Sequence, residues 1–313
     1  MKDKYVVSFN LGGIANRLKC LISLWIIADK TKRNLLLYWP INHTCGAKFS
    51  ELFENEVNET SKEEIYGLKK GDLDYYRGDL LMISESLKKY ILSSDWKWSF
   101  LKNSLLKNNN SIDFNFKEIP SETKKEILFY LKKLKPIKKI RYSVSNFERK
   151  NKIKNCIGVH IRRGDFADRK TSPGKVSTDE KFIERMNELI KEKPKINFFL
   201  STDSREMEEK IEKAFPKKII KFPKTSFVRT DVKATQEGLI DLLLLSKTKH
   251  ILGTYRSTFN ELAWWLGECK PKIEIIIDKE KLEEYKKNVE EDRKKIIPKV
   301  KRLILKIIGR KFL

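Results

Sequence analysis

The strongest candidate for chemistry is the segment His160-Ile161-Arg162-Arg163-Gly164-Asp165, which follows an apolar run. Arginine carries a permanent, fork-shaped charge that matches phosphate oxygens, and glycine allows the backbone to turn sharply at the end of a strand. We therefore predict that His160, Arg162 and Arg163 help to bind the phosphates of an anionic ligand. The alternative is that both arginines form ordinary ion pairs with neighbouring carboxylates.

A second segment with suitable chemistry, Gly253-Thr254-Tyr255-Arg256-Ser257-Thr258-Phe259, joins an apolar run to a helical pattern. Ser257 and Thr258 stand where the first turn of a helix should begin, and the unpaired amides of such a turn favour an anion. Ordinary helix capping is the alternative explanation.

Two carboxylates belong to the same part of the chain. Asp203 ends the strand-like run Leu200-Ser201-Thr202-Asp203, and Asp241 lies within the apolar helical run from Ile240 to Leu245. Each carboxylate could accept hydrogen bonds from a nucleotide base or a ribose in a crevice. Each could equally cap a helix or pair with a lysine.

Near the N-terminus, the segment from Leu11 to Leu18 contains two glycines followed by polar residues. It matches neither the P-loop nor the GxGxxG pattern. Gly13 permits a close backbone approach, while Asn16 and Arg17 begin a helix that we expect to face a cleft. A tight turn between a strand and a helix explains the glycines equally well.

These segments lie on an alternation of strands and helices, which predicts an α/β protein with parallel sheets. The first half opens with a strand from Tyr5 to Phe9, an amphipathic helix and a strand from Leu35 to Tyr38, and its remaining strands cannot be placed. In the second half we expect strands at 157–161, 197–200, 219–222, 250–253 and 273–277, and helices at 179–190, 204–214, 235–246 and 257–266. We predict two Rossmann-like domains, residues 1–140 and 150–278, with a cleft between them and a boundary in the basic stretch around Pro136.

The chain has 313 residues and a formal charge of +24, from 67 basic and 43 acidic residues. A charge of this size suits a nucleic acid, an anionic membrane or a phosphorylated ligand. The sequence has no helix-turn-helix, zinc-finger, RRM or KH signature, so a basic nucleic-acid-binding protein is the weaker alternative.

The four cysteines and three histidines are scattered, so we expect no metal site and no cofactor. The N-terminus passes directly into a strand, and the apolar runs are too short for a bilayer. We therefore expect a cytoplasmic protein.

Residues 279–313 are predicted to form a helical tail. From Arg293 to Leu313 the chain has nine basic residues and no acidic one, and apolar residues recur there at helical spacing. A basic amphipathic helix can lie on an anionic membrane, which would place the protein peripherally at the membrane. Packing of the same stripe on the first domain is the alternative.

The order of the motifs resembles the fucosyltransferase superfamily. The matching blocks are GG-x-x-N-R-L near the N-terminus, VHIRRGD, LSTD and EGLIDLLLLSKTKHILGTYRSTFNELA, between residue 9 and about residue 267. The HxRRxD block is the most specific. The superfamily includes the α1,2- and α1,6-fucosyltransferases, the rhizobial chitooligosaccharide fucosyltransferases and the protein O-fucosyltransferases.

The resemblance implies a GT-B fold and an inverting glycosyltransferase that needs no metal. It implies a GDP-sugar donor, usually GDP-β-L-fucose, and a glycan acceptor. By position, Arg162 matches the arginine on the donor β-phosphate, and Asp241 matches the carboxylate near the guanine. Ser257 and Thr258 match the donors to the pyrophosphate. Asn16 and Arg17 match the cleft-facing residues of the first domain. A transferase of the same fold that uses another nucleotide-sugar remains the alternative.

One position departs from the family pattern. In the α1,6 enzymes a catalytic glutamate lies ten residues beyond the motif histidine, and this chain has Lys170 there. Inversion by a single displacement requires a general base for the acceptor hydroxyl. Asp165 and Asp168 are the nearest carboxylates and therefore the candidates, with Arg162 to stabilise the leaving group.

Overall fold

The computed structural model describes residues 4–75, 89–94, 119, 121–164, 172–292 and 294. The strands in this part of the chain are β1 (Tyr5–Phe9), β2 (Asn34–Tyr38), β3 (Asn58–Glu59), β4 (Leu73–Tyr75), β5 (Tyr90–Ser94), β6 (Ile157–Ile161), β7 (Phe198–Thr202), β8 (Ile219–Ile220), β9 (His250–Thr254) and β10 (Lys272–Ile276). The helices are α1 (Ile14–Thr31), α2 (Lys62–Tyr66), α3 (Ser121–Lys133), α4 (Lys138–Asn151), α5 (Asp179–Glu192), α6 (Arg205–Ala214), α7 (Val232–Leu245) and α8 (Thr258–Leu266), and residues 279–292 are also helical.

The first half of the chain forms a five-stranded sheet in the order β3-β2-β1-β5-β4, and every strand pair is parallel. In the central strand β1, Val6 and Val7 are fully buried. Helix α1 covers the sheet because its apolar residues recur at three- and four-residue spacing. The helix ends at Lys32, which adopts a left-handed conformation with φ 52°.

The second half forms another parallel sheet, in the order β10-β9-β6-β7-β8. Strands β6 and β7 are buried along their whole length, as expected for a parallel sheet covered on both faces. Three of its helices begin at a polar cap: the side chains of Thr178, Ser204 and Asp231 accept hydrogen bonds from first-turn amides of α5, α6 and α7. The predicted alternation of strands and helices is confirmed.

The basic stretch around Pro136 is more regular than expected. It contains α3 and α4, joined by a short connection in which Pro136 forms an isolated β-bridge with Phe53. Helix α4 packs on α7 of the second half. The domain boundary near this stretch stays a prediction.

The two halves make several buried contacts with each other. Lys19 of α1 and Glu261 of α8 form a buried ion pair, with 2.5 Å between Nζ and Oε2. The Gly46 amide donates to Thr235 Oγ1 over 3.1 Å, and a Cβ atom at Gly46 would lie 2.2 Å from the Thr230 carbonyl carbon. These contacts fix the distance between the two sheets.

The C-terminal part of the chain is described as far as residue 294. Tyr285 of the helix at 279–292 is buried and accepts a hydrogen bond from Arg256. The predicted membrane-binding segment, residues 293–313, lies outside the described residues except for residue 294. Among the helices that the structure describes, none has the length and apolar character needed to cross a bilayer.

Candidate active site

A crevice lies where the strands of the second sheet end; it is partly open to solvent, and together with the solvent at its mouth it encloses about 910 Å³. Its walls come from the carboxyl ends of β6 and β7, the loop after β8, helix α7 and the start of α8. The first half closes the opposite side. Polar residues that line the crevice are Asn16, Thr44, His160, Arg162, Ser201, Thr202, Asp203, Lys224, Ser226, Arg229, Thr235, Asp241 and Thr258. Most of the predicted site residues therefore meet in one place.

Side chains alternate along β6, and the alternation decides which arginine reaches the crevice. His160 lies on the face covered by α8, where its ring stacks on Phe259 with centroids 4.5 Å apart. Ile161 lies on the other face, in the core beside α5. Arg162 continues the face of His160 and lines the crevice, and its amide donates to Thr254 Oγ1 over 3.0 Å.

Arg163 continues the opposite face, contrary to the prediction that it contacts the ligand. Its Nε and Nη2 donate to Asp179 Oδ1 over 2.9 and 2.7 Å, and Nη2 also donates to the carbonyl of Ser177 over 2.7 Å. Nη1 donates to the carbonyl of Arg162 over 2.8 Å. These contacts tie the end of β6 to the start of α5, so Arg163 supports the fold, as the ion-pair alternative proposed.

Asp203 holds the turn after β6 in place. Its Oδ1 accepts from the amides of Arg163 and Gly164 over 2.7 and 2.9 Å, and its Oδ2 accepts from Arg229 Nη2 over 2.6 Å. A Cβ atom at Gly164 would lie 2.4 Å from Asp203 Oδ2, which explains the glycine. Burial alone would raise the pKa of Asp203, but Arg229 and the two amides outweigh it and lower the pKa. Asp203 lines the crevice while it is already hydrogen-bonded to the protein.

His160 is neutral at physiological pH. Burial, more than any charge, lowers its pKa to about 3. Its Nε2 lies 3.2 Å from Ser257 Oγ, and its backbone carbonyl accepts from Thr254 Oγ1 over 2.9 Å. His160 therefore shapes the wall between β6 and α8 without adding a charge to the crevice.

Helix α8 directs its first turn at the crevice, where Thr258 and Phe259 line the wall. Ser257 is the N-cap residue, but its side chain makes no capping hydrogen bond because the hydroxyl contacts His160. The first-turn amides thus have no side-chain cap. Ser257 itself is buried and does not line the crevice, so the structure gives it a supporting position rather than the predicted ligand contact. The preceding Arg256 adopts a left-handed conformation with φ 54°, a strained backbone typical of functional loops.

Asp241 lies at the bottom of the crevice, only 2% exposed. Its Oδ2 is 2.8 Å from Lys224 Nζ, and its Oδ1 has no hydrogen-bond partner among the described residues. Burial raises the pKa of Asp241, although the Lys224 ammonium and a hydrogen bond with the Ser201 side chain oppose this shift. A buried acceptor that faces a cavity is suited to an N–H group of a ligand.

The first half contributes Gly13 and Asn16 to the crevice, and their contact with a ligand stays a prediction. The side-chain oxygen of Asn16 is buried and makes no hydrogen bond within the described residues. Arg17 differs from the prediction because the next position on a helix turns about 100° away. It is fully buried, donates to the carbonyls of Gly12 and Pro40 over 2.6 and 2.8 Å, and lies 5.0 Å from the Trp39 ring centre. Arg17 supports the turn that presents Asn16.

The loop after β8 was not predicted from the sequence, yet it supplies Lys224, Phe227 and Arg229 to the crevice. A signal was present, because this basic and aromatic loop follows a strand of the same parallel sheet. Loops that follow parallel strands meet at one edge. The charged side chains that line the crevice are those of Arg162, Lys224, Arg229, Asp203 and Asp241.

Asp165 and Asp168, the candidate general bases, lie outside the described residues, as does Lys170. Within the part of the chain that the structure describes, no group of three or more His, Cys, Asp or Glu side chains is placed to hold a metal ion. Metal independence and the identity of the base both stay predictions.

Fucosyltransferases are among the solved structures with a similar fold. NodZ alpha-1,6-fucosyltransferase from Bradyrhizobium, in crystals soaked with GDP-fucose, is similar over 85% of this chain and 93% of that chain, with a TM-score of 0.56 and 19% identity. A variant of FUT1 from Arabidopsis thaliana in complex with GDP gives 88% and 70% coverage, a TM-score of 0.54 and 15% identity. POFUT1 in complex with GDP-fucose gives 88% and 98% coverage, a TM-score of 0.50 and 12% identity.

The chain has the fucosyltransferase fold. The predicted α/β architecture of GT-B type is thereby confirmed. No protein-family model matches the sequence, and no curated protein sequence matches it either. In this fucosyltransferase fold the crevice lies between the two sheets, with its most polar wall at the carboxyl edge of the second sheet.

Proposed function

We propose that this chain is a glycosyltransferase that moves L-fucose from GDP-β-L-fucose to a hydroxyl of a glycan acceptor. The observation that carries the proposal is the crevice, which combines Arg162, the uncapped first turn of α8 and the buried carboxylate of Asp241. The fold supports it, because similar folds occur in NodZ from crystals soaked with GDP-fucose and in POFUT1 in complex with GDP-fucose.

The three features suit the parts of a nucleoside diphosphate sugar. The amides of a first helical turn and an arginine fork bind phosphate oxygens, and both lie on the wall formed by β6 and α8. Asp241 lies deeper, where a base with N–H donors would fit. Asn16 and Thr44 approach from the first half, on the side where an acceptor would enter.

The reaction that fits this arrangement is a single displacement. The acceptor oxygen forms a bond to the anomeric carbon while the bond from that carbon to the β-phosphate oxygen breaks, so that GDP leaves and the configuration inverts. The acceptor proton passes to a base, for which Asp165 and Asp168 are the candidates. Arg162 and the amides of α8 would stabilise the charge that grows on GDP, and this role needs no metal.

The test is turnover with a panel of donors in the presence of a chelator. We expect GDP release from GDP-fucose with glycan acceptors and little or none from UDP-sugars, and a preference for another GDP-sugar would support the alternative donor. Arg162→Ala should weaken GDP binding by about 1.5–3 kcal/mol, the range for a hydrogen bond to a charged group. Arg149→Ala, an equal charge change on the exposed face of α4, is the control. An absolute requirement for Mg²⁺ or Mn²⁺ would contradict the mechanism.

The sequence of residues 293–313 supports a second part of the proposal, that an anionic membrane surface brings the enzyme to its acceptor. The nine basic residues would each contribute about 1 kcal/mol close to such a surface. Co-sedimentation with anionic and neutral liposomes, at low and high salt, should show salt-sensitive binding to anionic vesicles only. A chain that ends at Asp292 should lose this binding while it keeps GDP affinity.

A further inference from the structure

Lys224 is a deeply buried lysine on the crevice wall that the second half provides, with 6% of its side chain exposed. It follows β8 and reaches under the crevice. Its ammonium donates to the carbonyl of Thr202 over 2.9 Å and to Glu208 Oε1 over 3.1 Å, and it lies 2.8 Å from Asp241 Oδ2. These three acceptors come from β7, α6 and α7, so Lys224 joins three elements.

An ammonium has three N–H donors, and the three acceptors around Lys224 use all of them. Lys224 is therefore not available to a phosphate of the ligand, in contrast to the usual role of a lysine in a nucleotide site. Burial opposes its charge, but Asp241 and Glu208 more than compensate and raise the pKa of Lys224. The side chain is a fixed positive charge whose partner on the crevice surface is Asp241.

Asp241 needs that charge. It is 2% exposed, and burial favours the protonated form of a carboxyl group. The other charges that face it are Glu208, behind Lys224, and the groups of the strand-end loops, Arg162, Asp203 and Arg229, while His160 is neutral. Glu208 disfavours a second negative charge nearby, and Arg229 is already paired with Asp203. Lys224 is thus the cation that directly contacts the Asp241 carboxylate.

We infer that Lys224 is a positioning residue that keeps Asp241 ionised and oriented, and that it thereby sets the selectivity of the crevice for a 2-amino-6-oxopurine base. This inference rests on the proposed function, since it assumes that the base of the donor lies against Asp241. The free Oδ1 can accept from the adjacent N–H groups of such a base. Adenine presents a ring acceptor at that edge, which an ionised carboxylate repels.

If Lys224 keeps Asp241 ionised, the preference of the crevice for a base with two adjacent N–H donors should depend on pH only in variants that lack Lys224. In the Lys224→Met variant the buried Asp241 loses the cation in contact with it and keeps only the hydrogen bond with Ser201, so its pKa should rise further. Where Asp241 is protonated, it loses its preference for the two N–H donors. Raising the pH removes the proton and restores the preference. A role of Lys224 in packing alone would lower affinity for all nucleotides equally and would not respond to pH in this way.

The experiment is calorimetric binding of GDP and of inosine diphosphate, which lacks the 2-amino group, to the full-length protein at about pH 6.5 and 8.5. Because both ligands carry the same phosphates, the ratio of their affinities reports on the base contact alone. We expect the wild-type protein to prefer GDP by about tenfold or more at both pH values, and Lys224→Met to prefer it by less than about twofold at the lower pH only. Lys221→Met is the matched control, because Lys221 contacts Glu208 but does not contact Asp241.

A Lys224→Met protein that keeps the wild-type ratio at both pH values would overturn the inference and leave the proposed function intact. A wild-type protein that does not bind GDP would instead overturn the proposed function. Lys224→Arg keeps the charge and should keep the ratio at both pH values even where it lowers overall affinity. If Lys224→Met fails to fold, the same measurement on Lys224→Gln decides, because glutamine removes the charge and keeps a polar N–H donor.

Discussion

The buried ion pair between Lys19 and Glu261 offers a direct test of how the two halves are held together. Lys19 lies on α1 and Glu261 on α8, the helix whose first turn lines the crevice. Their side chains are 2% and 0% exposed, and Nζ and Oε2 are 2.5 Å apart. Burial lowers the pKa of Lys19, although Glu261 acts in the opposite direction. Replacing Lys19 with methionine keeps most of the volume and removes the charge.

The expected cost follows from the burial of both partners. Removal of one charge leaves the other buried and uncompensated, which typically costs 3–5 kcal/mol, so Lys19→Met should lower the free energy of unfolding by about 4 kcal/mol. Replacing both partners with apolar residues removes the uncompensated charge. We therefore expect Lys19→Met combined with Glu261→Leu to recover most of the loss.

Urea denaturation followed by circular dichroism measures these differences. Lys30→Met is the control, since Lys30 lies on the same helix and pairs with Glu126 in a partly exposed contact, which should be worth at most about 1 kcal/mol. If Lys19→Met costs no more than Lys30→Met, the pair is not a buried link between the halves. If the double variant is as unstable as the single one, packing rather than charge explains the loss.

Two further predictions concern the wall of the crevice. The pKa of His160 is lowered to about 3 from its ordinary 6.5, so between these pH values the unfolded chain binds more protons than the folded one. The free energy of unfolding should therefore decrease as the pH falls from 6.5 to 3, by up to about 1.4 kcal/mol per pH unit. Urea titrations of His160→Gln should show a shallower fall. Gly164→Ala should lower the free energy of unfolding by about 1–3 kcal/mol because the added Cβ would displace Asp203. Gly238→Ala should raise it slightly, because Gly238 lies in the middle of α7 and no atom lies within 4 Å of the added Cβ. Equal melting temperatures for the two alanine variants would contradict this explanation.

The strands and helices of the second half could be predicted because each follows one simple pattern. A parallel strand covered on both faces is a short apolar run, and β6 agrees with its prediction from Ile157 to Ile161. The first half gave fewer signals. Strand β3 has two residues, both exposed, and β4 has three, so neither presents a period that a pattern search can detect.

Crevice residues could be predicted from the sequence where they directly follow a strand that the sequence shows clearly. Asp203 and Arg162 follow apolar runs, and the structure places both at the carboxyl edge. Lys224 was missed because the loop that contains it carries no motif, although the strand before this loop was predicted at 219–222. The sequence also left open whether Asp241 pairs with a lysine or faces a ligand, and the structure combines the two, with Oδ2 toward Lys224 and Oδ1 without a partner among the described residues.

The tandem arginines show why residue type alone is a weak guide to a site. Arg162 and Arg163 have the same chemistry, yet one lines the crevice and the other bonds to Asp179 at the start of α5. Side chains alternate along a strand, and the two arginines that follow β6 continue this alternation and face opposite sides. His160 faces α8, so Arg162, two residues later, faces the crevice on the same side. Ile161 and Arg163 face the opposite side, toward α5. The same argument applies to other paired arginines that continue a buried parallel strand. One arginine faces the ligand site, and the other can hydrogen-bond to the protein and hold the turn after the strand.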